Sequence, residues 1–450
     1  MMRRSWLAAT LAIAWGAAPV SAETLQDALV EAYSSNPTLA SQRAALRATD
    51  ESLSQAVAGW RPTVRLIGEW GRAHAVTSAL PLRGPSDPNR RQLQATQPLY
   101  QGGRTVAQTK QAEAGILAGR ATLDATEQTV LFSVVQSYMD VIRDESTLAL
   151  RGNNVRVLQR QLEATNDRFA VGEVTRTDVS QAEARLSRAV ADRTTAEGNL
   201  IASRANYQRA VGRAPGRLAP PPPPPRVPTT EEEAQQVAAE LNPNLRAAAY
   251  NEQAASYAID VSIATLLPDV TVVGDVSRTG DQSSRGSNTT NESVLGRVTI
   301  PLYQSGSEWS AVRQAREVRS QRRVQIDETR RQVVQGVTSA WQQYKTATAQ
   351  IAARREQIRA STVALEGVRQ EATVGSRTVL DVLDAEQELL DARVALVSAE
   401  RDQYVATYQV KNAIGLLTAR ELGLPVELYD PVPHAEEVRG KWIGFSPAPE

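Results

Sequence analysis

The chain has 450 residues and balances 50 Lys and Arg against 50 Asp and Glu, so no global field draws it to nucleic acid or to an anionic membrane surface. It has no cysteine, and its two histidines, His74 and His434, lie far apart, which argues against a thiol nucleophile or a transition-metal centre. It is 42% hydrophobic but only 5% aromatic, a composition that suits long exposed helices with thin seams better than a thick globular core.

Residues 1–22 read as a signal peptide. Met1 to Arg4 is a basic start, Ser5 to Ala18 a short apolar run, and Val20-Ser21-Ala22 a small-residue cleavage signal, which puts the mature start at Glu23. There is no cysteine for a lipid anchor. No later run of 18 apolar residues predicts a transmembrane helix. Thr24-Leu25-Gln26-Asp27 opens a short helix as a variant capping box. Asn36-Pro37 is a cap with proline at the first helical position, and its helix runs to about Gly59.

Alternation then changes from the helical period to two. Val64, Leu66 and Trp70 alternate with Arg65, Ile67 and Glu69, and Leu93 and Ala95 with Gln92, Gln94 and Thr96, which predicts a β-hairpin over about 63–97. From Arg104 to Phe169 no proline occurs. That is about 65 residues, or close to 100 Å as helix at 1.5 Å per residue. A turn at Gly172 and a return helix ending near Gly212 complete a first unit, 23–219. Residues 220–228 open with six prolines, Pro220 to Pro225, a stiff connector.

The second unit, 229–424, says the same thing again. Pro98-Leu99-Tyr100-Gln101-Gly102-Gly103 returns 203 residues later as Pro301-Leu302-Tyr303-Gln304-Ser305-Gly306, and Gly172 and Gly212 return as Gly375 and Gly415. Upstream, Asn36-Pro37, Pro62 and Gly68 return 206 residues later as Asn242-Pro243, Pro268 and Gly274. The chain is a tandem duplication with one three-residue indel. Its second hairpin falls at about 269–300, where Val272 and Val298 alternate with Thr271 and Arg297. The long helices share a heptad seam: Val134, Tyr138, Val141, Leu148, Val155 and Leu162 superpose on Val337, Trp341, Tyr344, Ile351, Ile358 and Leu365. A Pro-rich tail, 425–450, follows.

Helices alone would fit a soluble periplasmic coiled-coil adaptor or scaffold. The strands favour another class. Each is about ten residues long with one apolar face, which is what a transmembrane β-strand needs, and no other strand is available to cover them. Four strands cannot close a barrel, and an open edge in lipid strands backbone groups at several kcal/mol each. Two chains would give eight strands, too narrow for a pore, and three give twelve. The predicted fold class is therefore mixed α and transmembrane β: a coiled-coil α-barrel plus four strands per chain in a trimeric twelve-stranded β-barrel.

No Ser/His/Asp grouping, phosphate loop or metal-ligand spacing is present, so neither an enzyme nor a cofactor is expected. Near the helical reversals, Asp178, Asp381 and Asp384 lie at the start of the returning helices. Acids there serve as caps. Asp381 and Asp384 also share a face at i, i+3, and in a trimer that face, if inward, makes stacked carboxylate rings that favour cations.

These residues resemble the TolC family of outer-membrane efflux and type I secretion channels over about Glu23 to Leu424. The marks are Gln97 to Arg104 at a strand-to-helix junction and Val374 to Ala385 at a helical tip, together with the duplication and the Asn-Pro helix starts. The resemblance implies a homotrimer in outer-membrane lipid with a long periplasmic extension. It implies export of secreted proteins or small toxic molecules, through docking on a periplasmic membrane-fusion adaptor and an inner-membrane ABC or proton-driven transporter. It makes Pro98, Tyr100, Gly103, Pro301, Tyr303 and Gly306 the junction residues. Asp381 and Asp384 become the periplasmic constriction, and Arg377, Thr177 and Asp178 the ties between neighbouring coils. One departure stands out: a tyrosine expected three residues before Gly375 is Ala372 here, while the first copy has Phe169. Nothing in the residues names the cargo.

Overall fold

A computed structural model describes residues 22–75, 84–281 and 286–445. The expected signal peptide, residues 1–22, lies outside the described residues but for Ala22, as do 76–83 and 282–285 of the two hairpin loops and the end of the tail, 446–450.

Helices α1 (Leu25–Ser35) and α2 (Pro37–Val57) open on the two predicted caps. The Thr24 hydroxyl accepts from the Asp27 N–H while the Asp27 carboxylate accepts from the Thr24 N–H, and the Asn36 side chain accepts from the Thr38 N–H. Strands β1 (Thr63–Trp70), β2 (Ala73–Ala75), β3 (Gly84–Ser86) and β4 (Asn89–Gln101) follow, then the 67-residue helix α3 (Arg104–Ala170) and its return α4 (Arg176–Val211). The second copy repeats the plan: α5 (Glu231–Leu241), α6 (Pro243–Ala264), β5 (Asp269–Gly280), β6 (Asn288–Thr299), the 67-residue α7 (Ser307–Thr373) and α8 (Val379–Ile414).

The four long strands form one antiparallel sheet, ordered β1-β4-β5-β6. Thr63 lies opposite Thr96 in the first hairpin and Asp269 opposite Thr299 in the second, so the two registers coincide at the offsets 206 and 203. The helices continue this order as a row. α2 leads into β1 and α3 leaves β4, while α6 leads into β5 and α7 leaves β6; α2 packs on α3, α3 on α6 and α6 on α7. Below the row, α3 pairs with α4 and α7 with α8 as long antiparallel coils.

One strand boundary differs from the expected one. The first hairpin does not stop at 97: β4 runs through Pro98 and Tyr100 to Gln101, because β5 continues alongside it, with Tyr100 opposite Val270. The register slips between Pro98 and Tyr100, a bulge that accommodates a residue with no N–H to donate. Pro301 and Tyr303 lie just beyond the end of β6, which has no further strand beside it among the described residues. The first loop also carries its own short ladder, β2 with β3.

The main core sits where α1, α3, α4 and α8 meet, around Tyr138, Tyr207, Leu131, Val134 and Leu417. The Tyr138 hydroxyl shares its one proton between the carbonyls of Ala219 (2.7 Å) and Glu23 (3.0 Å), joining the two ends of the first unit, and burial pushes its pKa up to about 12. The tail is not featureless. Helix α9 (Val432–Gly440) packs on α2, with His434 Nδ1 2.9 Å from the fully buried Asp50 carboxylate.

Candidate functional site at the helical tips

Both long helices reverse over a glycine in the left-handed region, Gly172 at φ +80° and Gly375 at φ +79°, a conformation that costs a side-chain-bearing residue about 1–2 kcal/mol. The Gly172 N–H donates to the Phe169 carbonyl and that of Gly375 to the Ala372 carbonyl, satisfying helix ends that would otherwise be orphaned. Each reversal is stapled by an ion pair across the turn, with the signs exchanged between copies: Arg168 to Glu173 at 3.1 Å and Glu371 to Arg377 at 2.9 Å.

The returning helices start on reciprocal caps. Asp178 Oδ2 accepts from the Thr175 N–H and hydroxyl at 2.8 and 2.7 Å, and Asp381 Oδ2 from those of Thr378 at 2.9 and 2.8 Å. The Thr175 and Thr378 hydroxyls accept in turn from the Asp178 and Asp381 N–H groups. These bonds, the backbone ones most of all, hold both carboxyls below the ordinary carboxylate range. A carboxyl lowered on folding stabilises above its unfolded pKa, and that stabilisation is lost only as pH falls through the lower folded value. The tip caps therefore stay ionised near neutrality.

Around the second tip, α8 sends successive residues different ways. Val382 packs with Leu365 and Leu389 on its own coil, while Leu383 crosses to Val155, Leu158 and Ala189 of the first coil. Asp384 ion-pairs with Arg185 of α4. The expected acids therefore do separate things within one chain: Asp178 and Asp381 serve as caps, and Asp384 links the two coils. Arg377 is exposed and turned to Glu371 of its own tip, and Thr177 is exposed beside the first cap.

Sequence reasoning missed Arg185, Glu371 and Arg369, whose guanidinium meets the mostly buried Glu386 at 2.7 Å. The charge pairs bracketing Gly172 and Gly375 were a usable signal. Nothing local announces Arg185, because the facing of α4 on α8 is set by both coils at once.

The family model described as "Outer membrane efflux protein" matches residues 28–213 and 234–416, one stretch in each unit. The outer membrane efflux protein BepC of Brucella suis is 36% identical over 424 residues, covering 94% of this chain and 92% of that protein. Outer membrane protein TolC of Vibrio cholerae is 25% identical over 412 residues, covering 90% and 93%. In fold, the chain resembles the solved outer membrane protein VceC from Vibrio cholerae with a TM-score of 0.75 at 20% identity, covering 87% of this chain and 96% of that one. With both units matched and BepC aligned along nearly its whole length, the chain belongs to the outer membrane efflux protein family, the TolC-type channels.

Proposed function

We propose that three copies of the chain close a twelve-stranded barrel in the outer membrane and continue beneath it as a helical tunnel. The tunnel accepts cargo from an inner-membrane transporter through a periplasmic adaptor seated at the tips. The observation that carries this reading is the sheet. Val64, Leu66, Trp70, Leu93, Val276, Val294 and Val298 alternate onto one face and are exposed, whereas Arg65, Glu69, Gln94, Asp275 and Arg297 alternate onto the other. A water-soluble protein would cover such a face, and lipid covers it here. The soluble coiled-coil alternative offers nothing that does.

The direct test is assembly. The detergent-solubilised mature protein should have the mass of three chains, and membranes should retain it through carbonate extraction. A monomer released by carbonate with its full helix content would sink the conduit reading.

The tip acids supply the gate. Three chains bring Asp381 and Asp384 together at the narrow end, where a carboxylate ring attracts cations and repels anions. Replacing both with Ala should lower cation preference in planar-bilayer recordings. Wild-type preference in a variant with a weakened tip would leave these acids as caps and ties alone. Removing Arg377 acts differently: Arg377→Ser opens the Glu371 staple and should raise single-trimer conductance with helix content unchanged.

A further inference from the structure

The duplication does more than repeat a fold. It makes the junction between the two units of one chain a template for the junction between two chains. In the sheet that junction is β4 on β5, and in the helices it is α3 on α6. The chain ends with the same elements at its margins: β6 and β1 are the sheet edges, and α7 and α2 the ends of the helix row, where α2 also carries α9 of the tail. Exposure reports the missing neighbour. Ala121 of α3 is 0% exposed and its counterpart Val324 of α7 is 67% exposed; Tyr100 is 46% exposed and its counterpart Tyr303 is 83% exposed.

We propose that β6 and α7 of one chain dock on β1 and α2 of a second copy in the register of the internal junction, so that Arg297 meets Glu69 of the second copy and Arg313 meets its Glu51. This rests on the conduit reading above and names its seam residue by residue. The register follows by translation. Gln94 lies opposite Asp275 in the β4–β5 ladder. Moving each by its repeat offset gives Arg297 and Glu69, and the neighbouring pair Ala95–Gly274 becomes Val298–Gly68. Both Arg297 and Glu69 are exposed, on the polar face of the sheet, with no ion pair among the described residues. A polar pair inside the chain thus becomes an opposite-charge pair at the seam, directly across two antiparallel strands.

The helices give the same answer independently. On α3, Lys110 lies over the Tyr257 ring of α6 at 5.8 Å and Asp124 contacts Arg246 at 3.5 Å. These fix an antiparallel face of Lys110, Ala114, Ala121 and Asp124 against Arg246, Tyr250, Gln253 and Tyr257 at helical spacing. The counterparts are Arg313, Glu317, Val324 and Asp327 on α7, against Ala40, Ala44, Arg47 and Glu51 on α2. Arg313 therefore faces Glu51, Glu317 faces Arg47, and exposed Val324 meets the small Ala44. The two ion pairs have opposite polarity, so a shift of one turn along the seam would set like charges against each other.

The absence of native cysteine makes the test clean. In full-length protein in outer membranes, Arg297→Cys is combined in turn with Ile67→Cys, Glu69→Cys and Gly71→Cys, and Arg313→Cys with Glu51→Cys. Directly opposed residues on antiparallel strands lie within disulfide reach, and a two-residue slip does not. Oxidation should give a ladder of covalent dimer and trimer on non-reducing gels for 297 with 69, and a short bifunctional maleimide the same ladder for 313 with 51, with at most traces for 67 and 71. A trimer that cross-links best through 67 or 71 overturns the register and leaves the conduit standing. A monomeric mass overturns both. Charge exchange gives a second arm in case a cysteine variant misassembles. Arg297→Glu should cut the yield of assembled trimer, and adding Glu69→Arg to the same chain should restore it, since every seam then carries the exchanged pair. Failure of the exchange to restore assembly overturns the pairing.

Discussion

A chain carrying Val294→Arg should fail to accumulate as assembled trimer, whereas Ser293→Arg, one residue away, should assemble normally. Val294 sits midway along β6, opposite Gly274, and is 79% exposed on the apolar face. An arginine facing lipid near the midplane of a barrel costs about 2–4 kcal/mol, and each trimer would carry three. Ser293 points the other way, opposite Asp275, where a guanidinium gains a carboxylate partner. The measurement is the heat-sensitive trimer band in outer-membrane fractions of the two variants. Equal loss in both would mean that the two faces of the sheet are assigned wrongly.

The second large effect is expected far from the membrane, at the end of α8. Gly415 ends that helix at φ +88°, and a Cβ there would lie 2.7 Å from the Leu241 carbonyl oxygen and 2.9 Å from Asn242 Cα. Its counterpart Gly212 has φ +100° but would meet only the Ser35 hydroxyl, at 3.4 Å. Both glycines avoid the left-handed penalty of about 1–2 kcal/mol. Only Gly415 also keeps backbone from backbone, and overpacking adds about 1–3 kcal/mol. Gly415→Ala should therefore lower stability by about 2–5 kcal/mol and Gly212→Ala by no more than about 2 kcal/mol. Thermal unfolding in detergent compares them. Equal shifts would show that the Asn242 turn yields freely, even though its side chain is tied to the Ala413 carbonyl at 2.9 Å.

What the sequence disclosed follows the range of the forces involved. Caps such as Thr24 with Asp27 are written within four residues, and the heptad seam within seven, so they were legible. The repeat let each be checked twice. The alternation of β1 and β6 was legible for the same reason. The length of β4 was not, because Pro98 reads locally as a stop while the neighbouring β5 decides otherwise. Asp381 and Asp384 share a helix face by spacing, yet one turns to its own cap and the other to Arg185, and that choice depends on where α4 lies. The tail helix is short and flanked by prolines, so Ala435 and Val438 gave too weak a period to announce it. Its burial comes from α2, almost four hundred residues earlier in the chain.

That return of the tail bears on the timing of biogenesis. Tyr429 donates its N–H to the Tyr33 hydroxyl at 3.1 Å, His434 reaches Asp50, and Arg61 donates to the Lys441 carbonyl at 2.6 Å. A polypeptide threaded through the inner membrane from its amino end delivers α1 and α2 first and their covering segment last. In a chain delivered in that order, the first helices would wait, with Asp50 open to water, until nearly the whole chain has crossed. A chain truncated after α8 would leave Asp50 and the face of α2 around it without their covering segment for good.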